Sequence, residues 1–425
     1  MKLKGIYRNK LALFCAILGI FTLISWGWIV YVHGKGMDDY FIGYAFFSDL
    51  YSPMQKSRVD TYGAPFYSNY PPMANVVFLV MKRFVTMDNL ANYDGIVSSF
   101  GASMLLVLYF VCGIFFVYIG IKALANIDIE HKKQRILLVV FSLEILMSGP
   151  VLFLLSRGNN LIFVIALTLF FAAFYEHPNN YVREMAVIAL AFATALKIYP
   201  VFFGILLIKK GNLKIIVRTA VYGAILMFGP FMLYGEEAVI QFLQNVISRN
   251  GSGYYLNHVI AFKGAIQIFG TVLFQDAVIN FPKFGMLIPL VICLVIYITS
   301  NEEWKKWFAV CCWIIWFPAG SYLYNFSLLM IPLVLFLVEK KKCTVWSYGY
   351  IVLFAIIFTP TFFGKIERAN AILEPLELGN ITWNMFWVNI IFFALTVMVL
   401  LDCIINWIRE KSNRADMKRI SNAGS

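Results

Sequence analysis

Residues 11–32 read LALFCAILGIFTLISWGWIVYV, an apolar run without a single charged side chain. At about 1.5 Å per residue, such a run crosses the roughly 30 Å hydrocarbon core of a bilayer as one helix. The basic stretch ahead of it, MKLKGIYRNK at residues 1–10, imitates a secretory leader. The apolar run is too long for one, however, and no small-residue cleavage site follows, so it reads as a first membrane helix. Comparable runs recur to the far end of the chain, among them SSFGASMLLVLYFVCGIFFVYIGI at 98–121. Of 425 residues, 61% are hydrophobic and only 14% charged, against about 25% charged in soluble domains. The chain has too little polar surface to live in water, which excludes a soluble globular domain. No water satisfies backbone N–H and C=O groups inside a bilayer, so helices are the default; the short alternating segments of a transmembrane barrel are absent.

The net charge of +12 is not gathered on one segment, so no nucleic-acid partner is expected. Basic groups stand between the apolar runs, at 2–10, 122–135, 183, 209–218, 305–306, 340–342 and 409–419. That is the positive-inside pattern, and it puts both termini on the cytoplasmic side of a cell (plasma) membrane. The expected fold is all-α: a polytopic bundle of about 12 helices, with 1–425 as a single integral membrane domain. Helices are expected at about 11–32, 98–121, 136–155, 160–175, 185–197, 200–208, 215–234, 283–300, 307–318, 322–338, 345–363 and 384–408. Two long outer loops remain, 33–98 and 235–282. Residues 72–85 suggest an interfacial helix on the outer leaflet, with a short crossing as the alternative. Proline breaks the pattern at Lys197-Ile198-Tyr199-Pro200 and at Pro318-Ala319-Gly320-Ser321. Broken helices survive at membrane depth only where protein or a wet cavity covers the freed backbone, so both breaks point toward an internal site.

Ionisable groups inside or at the rim of a membrane domain are costly, which makes them functional candidates by default. The outer-side set is Asp38 and Asp39 after the first helix, Arg157 with Asn159 and Asn160, Lys197 with Tyr199, and Asn257 with His258. The adjacent carboxylates could anchor a loop, bind a cation, or accept a proton from an attacking hydroxyl. Lys197 and Arg157 either snorkel to the interface or offer their charge to a lipid phosphate, for which the planar guanidinium is better shaped. A lone His258 is more often structural, and Glu144 reads as a buried hydrogen-bonding group. The seven cysteines lie in or at the ends of helices without paired loop spacing and read as apolar packing residues.

Four stretches carry a family resemblance. They are Met37-Asp38-Asp39-Tyr40 with Tyr70-Pro71-Pro72 some thirty residues on; Arg157-Gly158-Asn159-Asn160 leading to Ala193-Thr194-Ala195-Leu196-Lys197-Ile198-Tyr199-Pro200; Leu256-Asn257-His258-Val259; and Pro318 through Tyr322 to Pro332. In order and spacing they resemble the multi-spanning GT-C glycosyltransferases that use polyprenyl-phosphate sugars. The likeness is greatest to glycosyltransferase family 87, the polyprenyl-phosphate-mannose-type enzymes. The family more often has one aspartate where this chain has Asp38 and Asp39, so either can match its catalytic position. The late break reads Ala319-Gly320-Ser321-Tyr322-Leu323-Tyr324-Asn325, without the tryptophan and acidic residue or histidine usual there.

The resemblance implies sugar transfer at the outer membrane face, from a polyprenyl-phosphate sugar donor to a lipid or glycan acceptor among the membrane lipids. Inversion is expected, with mannose-like specificity. It casts Asp38 or Asp39 as base and Arg157, Lys197 and His258 as phosphate ligands, with Asn159, Asn160, Tyr199, Asn257, Tyr70 and Tyr322 as substrate contacts. The phosphate leaves already charged, so cations can serve in place of a metal, and neither metal nor cofactor is expected. The rival readings are a transporter or lipid-linked sugar flippase, which would share the broken helices but for which no internal repeat is found, and a polysaccharide polymerase or ligase.

Overall fold

A computed structural model describes the chain outside residues 1–3, 34–46, 59, 85–99, 126–131, 209–212, 252–255, 257, 277–283, 319, 342, 361–363, 377 and 424–425. The described residues form 18 α-helices and no strand. The first eleven are α1 (Lys4–His33), α2 (Ser48–Lys56), α3 (Pro72–Met81), α4 (Phe100–Ala125), α5 (Lys132–Leu146), α6 (Gly149–Ser156), α7 (Leu161–Phe174), α8 (Asn180–Leu196), α9 (Ile205–Ile208), α10 (Leu213–Phe228) and α11 (Ala238–Gly251). There follow α12 (Phe262–Phe274), α13 (Leu287–Thr299), α14 (Glu303–Trp316), α15 (Met330–Val338), α16 (Val345–Phe358), α17 (Glu367–Leu373) and α18 (Trp383–Ala423).

Among the described residues, four stretches are long and apolar enough to cross a membrane: Lys10–Tyr31, Met104–Ala125, Leu213–Leu233 and Trp383–Asn413. Their outward faces are open and apolar, with Ile24, Val30, Val111 and Ile225 keeping 66%, 70%, 59% and 60% of their surface exposed. In water such stripes would drive aggregation, whereas against acyl chains they meet a solvent as apolar as themselves. The chain is therefore an integral membrane protein.

The helix expected over 136–155 is in fact two. α5 and α6 meet at an angle of 57°. Pro150 has no N–H to give the carbonyl one turn back, and its ring crowds that turn. Ser148 is extended between the two helices, and its hydroxyl donates to Ile145 O at 2.6 Å. The two other breaks fall where expected: α8 stops at Leu196 with Lys197 extended, and α14 stops at Trp316. α3 and its 3-10 extension hold 10 and 3 residues, roughly 21 Å in all and short of a bilayer core. The stretch 235–282 is not an open loop, since it contains α11 and α12.

The helices gather into two compact units, Thr22–Gly253 and a second made of Met1–Phe21 with Tyr254–Ser425. In the first, α4 packs on α7 through two glycines seven residues apart. A Cβ on Gly113 would stand 3.0 Å from Ile162 Cγ1, and one on Gly120 only 2.7 Å from Leu169 Cβ. Small residues thus bring the two backbones close, as membrane helix pairs require. α8 lies on α7 with alanines at 186, 189 and 193, and begins at Asn179, whose side chain accepts the Tyr181 N–H at 2.8 Å. α11 buries Ala238 and Phe242 against Tyr62, Phe231 and Tyr234, and exposes Ile240, Leu243 and Ile247. That two-sided apolar character suits a helix with protein on one side and acyl chains on the other.

In the second unit, α14 is the core helix, packed between α13 and α15 with Trp304, Trp307 and Trp316 buried. Lys305 and Lys306, which read from sequence only as a basic loop group, are buried as well. Lys305 Nζ lies 2.6 Å from Asp402 of α18 and 2.8 Å from Glu302. Asp402 also accepts from the Tyr350 hydroxyl and the Asn406 amide, each at 2.8 Å. A buried ion pair costs little only when its remaining lone pairs are satisfied, and here they are.

Candidate functional site

α6 ends in a left-handed glycine turn. The Gly158 N–H donates to Leu155 O at 2.9 Å, and the Asn159 N–H reaches back to Leu154 O at 3.2 Å, the paired bonds that close a helix on a left-handed residue. Glycine is needed there twice over. Gly158 has φ +63°, where a side chain is strained, and a Cβ would stand 2.9 Å from Leu50 Cβ. Carbonyls left without intrahelical donors at the end of α6 are taken by the start of α2. The Phe47 N–H donates to Ser156 O at 2.8 Å and the Asp49 N–H to Arg157 O at 3.0 Å.

This docking carries the Asp49 carboxylate onto two of the candidate residues. Its Oδ1 accepts from Arg157 Nη2 at 2.7 Å and its Oδ2 from Asn159 Nδ2 at 2.6 Å. Asn159 Oδ1 caps the Leu161 N–H at 3.0 Å, and its carbonyl accepts from the buried Tyr109 hydroxyl of α4 at 2.5 Å. The Asp49 side chain is 15% exposed and that of Arg157 32%. The acid is thus the more buried partner of the pair. Asn160 is buried, and its Oδ1 has no hydrogen-bond partner among the described residues.

Lys197 lies in the extended break after α8, its Nζ 5.9 Å from the centre of the Tyr199 ring. The Tyr199 hydroxyl is buried without a partner among the described residues, although the residue as a whole is half-buried. Tyr70 lies within electrostatic range of both Tyr109 and Tyr199. A hydrogen-bonded knot holds Tyr70 in place. Its carbonyl accepts from the Tyr62 hydroxyl at 3.0 Å, that hydroxyl accepts from Asn75 Nδ2 at 2.9 Å, and Asn245 of α11 donates to Tyr62 O and Ser68 O at 2.9 and 3.0 Å. Burial pushes the Tyr62 phenol well above its usual range, so it remains a proton donor at every physiological pH.

His258 and Tyr322 belong to the second unit. The Leu323 N–H donates to His258 O at 2.9 Å, Val259 forms an isolated bridge with Tyr322, and Asn389 Nδ2 donates to Val259 O at 3.2 Å. His258 is held at φ +60°, a conformation strained for a residue other than glycine and one that binding sites often retain. Asp38, Asp39 and Asn257 lie outside the described residues. Asp49 and Tyr109 are the site residues missed from sequence. The available signals were an acid among the aromatic residues of 40–51 and a tyrosine inside an otherwise apolar span. No group of three or more His, Cys, Asp or Glu that could hold a metal occurs among the described residues.

A forked cation at the end of a helix and a second cation in a helix break are each suited to an anion with several oxygens, such as a phosphate. No curated protein matches the chain. The family model described as Glycosyltransferase family 87 does match, over residues 67–338, a stretch that takes in the Arg157 turn, the Lys197 break and the His258 to Tyr322 bridge. The chain belongs to glycosyltransferase family 87.

Proposed function

We propose that this membrane glycosyltransferase moves a hexose of the mannose class from a polyprenyl-phosphate donor to a hydroxyl of a lipid or glycan acceptor. The reaction is placed at the outer face of a plasma membrane, with both termini cytoplasmic. The observation that carries the reading is the Arg157 turn, a guanidinium anchored on one side by Asp49 in a family 87 chain. Its planar fork matches two phosphate oxygens in a way a lysine cannot.

In this reading the acceptor oxygen attacks the anomeric carbon from the face opposite the phosphate and gives its proton to Asp38 or Asp39. The bond from that carbon to the phosphate oxygen breaks as oxocarbenium character develops, and polyprenyl phosphate departs with its electron pair. Arg157, Lys197 and His258 stabilise the charge gathering on the leaving phosphate. Tyr70, Asn159, Asn160, Tyr199, Asn257 and Tyr322 contact the donor or acceptor. The leaving group is an anion before it leaves, so these cations suffice and no metal is required.

The test is transfer by the purified protein in vesicles from a panel of polyprenyl-phosphate monosaccharides, comparing wild type with Asp38→Asn and Asp39→Asn. Transfer that vanishes in one variant whose melting temperature is unchanged identifies the base. Transfer that survives in both variants removes the carboxylates from the mechanism. Flux of an intact lipid-linked sugar across the vesicle membrane, with no transfer, points instead to a flippase.

A further inference from the structure

We propose that Asp49 is the positioning residue of Arg157, an acid that does no proton chemistry and sets the direction of the guanidinium that receives the donor phosphate. The proposal rests on the reading of Arg157 as a phosphate ligand. Both Asp49 oxygens are already engaged, one by Arg157 at 2.7 Å and the other by Asn159 at 2.6 Å. A carboxylate so occupied is a poor base for an acceptor hydroxyl and a good anchor for a cation.

The anchor is double. The Asp49 side chain holds the Arg157 head while the Asp49 N–H holds the Arg157 carbonyl at 3.0 Å. Main chain and side chain of one residue thus clamp both ends of the other. The clamp cannot slide, because Leu50 presses on Gly158 with no room for even a Cβ between them. Asn159 extends the clamp to α7 through the Leu161 N–H, and to α4 through the Tyr109 hydroxyl. A long arginine side chain normally loses rotamer freedom when it meets a ligand; here that freedom is surrendered on folding, before the donor arrives. The acid is also the more buried partner, and more of the arginine side chain than of the acid is left exposed. Such pre-set direction matters most at the transition state, where charge moves onto the departing phosphate.

The experiment measures initial transfer rates in vesicles against donor and against acceptor. The proteins are wild type, Asp49→Asn, Asp49→Glu, Arg157→Ala and the Asp49→Asn/Arg157→Ala double variant, each with its melting temperature. The expected result is a loss of about tenfold to a hundredfold in kcat/KM for the donor in Asp49→Asn, the scale of a misplaced catalytic contact. The KM for the acceptor stays within about twofold, the charge-retaining Asp49→Glu recovers part of the loss, and Asp49→Asn costs nothing further once Arg157 is absent. If Asp49→Asn does not fold, Asp49→Glu alone and combined with Arg157→Ala gives the same donor-selective, non-additive loss. Wild-type rates in Asp49→Asn, losses that multiply in the double variant, or donor and acceptor constants that fall together with the melting temperature overturn the proposal. A wild type that transfers from no polyprenyl-phosphate sugar overturns the phosphate reading itself, and the role of Asp49 with it.

Discussion

Alanine at Gly158 places a Cβ 2.9 Å from Leu50 Cβ, 3.2 Å from Phe47 Cδ1 and 3.3 Å from Phe47 Cα, at φ +63°. The left-handed backbone alone costs a residue with a side chain about 1 kcal/mol or a little more. Overpacking adds about 1–3 kcal/mol unless a neighbour gives way. Neither neighbour is free to do so, because Leu50 is buried and the Phe47 N–H is bonded to Ser156 O. The sum is about 3 kcal/mol, or roughly 6–12 °C in Tm for a unit of this size. Asparagine carries the same Cβ but tolerates the left-handed region, so Gly158→Asn should fall between wild type and Gly158→Ala. Because the strain acts on the segment that brings Asp49 to Arg157, donor kcat/KM should fall in the same order at temperatures where all three proteins remain folded. Thermal unfolding in detergent micelles, followed by transfer assays in vesicles, measures both. Alanine and asparagine variants that melt and turn over like wild type would refute the close packing of α2 on the Gly158 turn.

The same substitution should have opposite signs at two other glycines. Gly120→Ala drives a Cβ to 2.7 Å from Leu169 and lowers Tm, whereas Gly223→Ala in α10 meets nothing within 4 Å and gains about 0.5–1 kcal/mol of helix preference; a Gly120→Ala variant that melts no lower than wild type in detergent would contradict the α4–α7 packing. The acid limb of stability should depend on Glu302 at the start of α14. Burial raises its pKa, but Lys305 and Lys341 more than offset that and hold it below the ordinary carboxylate value. The stability it contributes is therefore present above its unfolded-state pKa and lost as pH falls through its lower folded-state value. Glu339 is the reverse case, pushed up by burial and by the charge of Glu302. Glu302→Gln should flatten the loss of Tm below about pH 4.5, while Glu339→Gln should raise Tm at neutral pH; an acid limb that survives intact in Glu302→Gln sinks this assignment.

The features legible in the sequence were those with a local cause. Apolar runs announced the membrane, and Pro200 and Pro318 marked two helix breaks that the structure reproduces. Gly149-Pro150 carried the same signal within 136–155 but was not read as a break. The amphipathic patterns of α11 and α12 were likewise present in what read as an outer loop. What stayed hidden depends on distance along the chain. Asp49 acquires meaning only from Arg157 and Asn159, 108 and 110 residues later. The buried Lys305 depends in the same way on Asp402, 97 residues on. No periodicity in either segment encodes such a partner. Arg157-Gly158-Asn159-Asn160 was legible as a candidate because its glycine and its cation are both local, and Lys197 because a cation beside a proline break is rare in an apolar chain.

The most direct measurement follows both products of one turnover. Purified protein in vesicles is given a doubly labelled polyprenyl-phosphate hexose and acceptor lipid, and the release of free polyprenyl monophosphate is counted against sugar gained by the acceptor. One polyprenyl phosphate per sugar moved, with no turnover of a nucleotide sugar offered in its place, is the predicted result. Transfer from the nucleotide sugar, or sugar gained with no polyprenyl phosphate released, would contradict it.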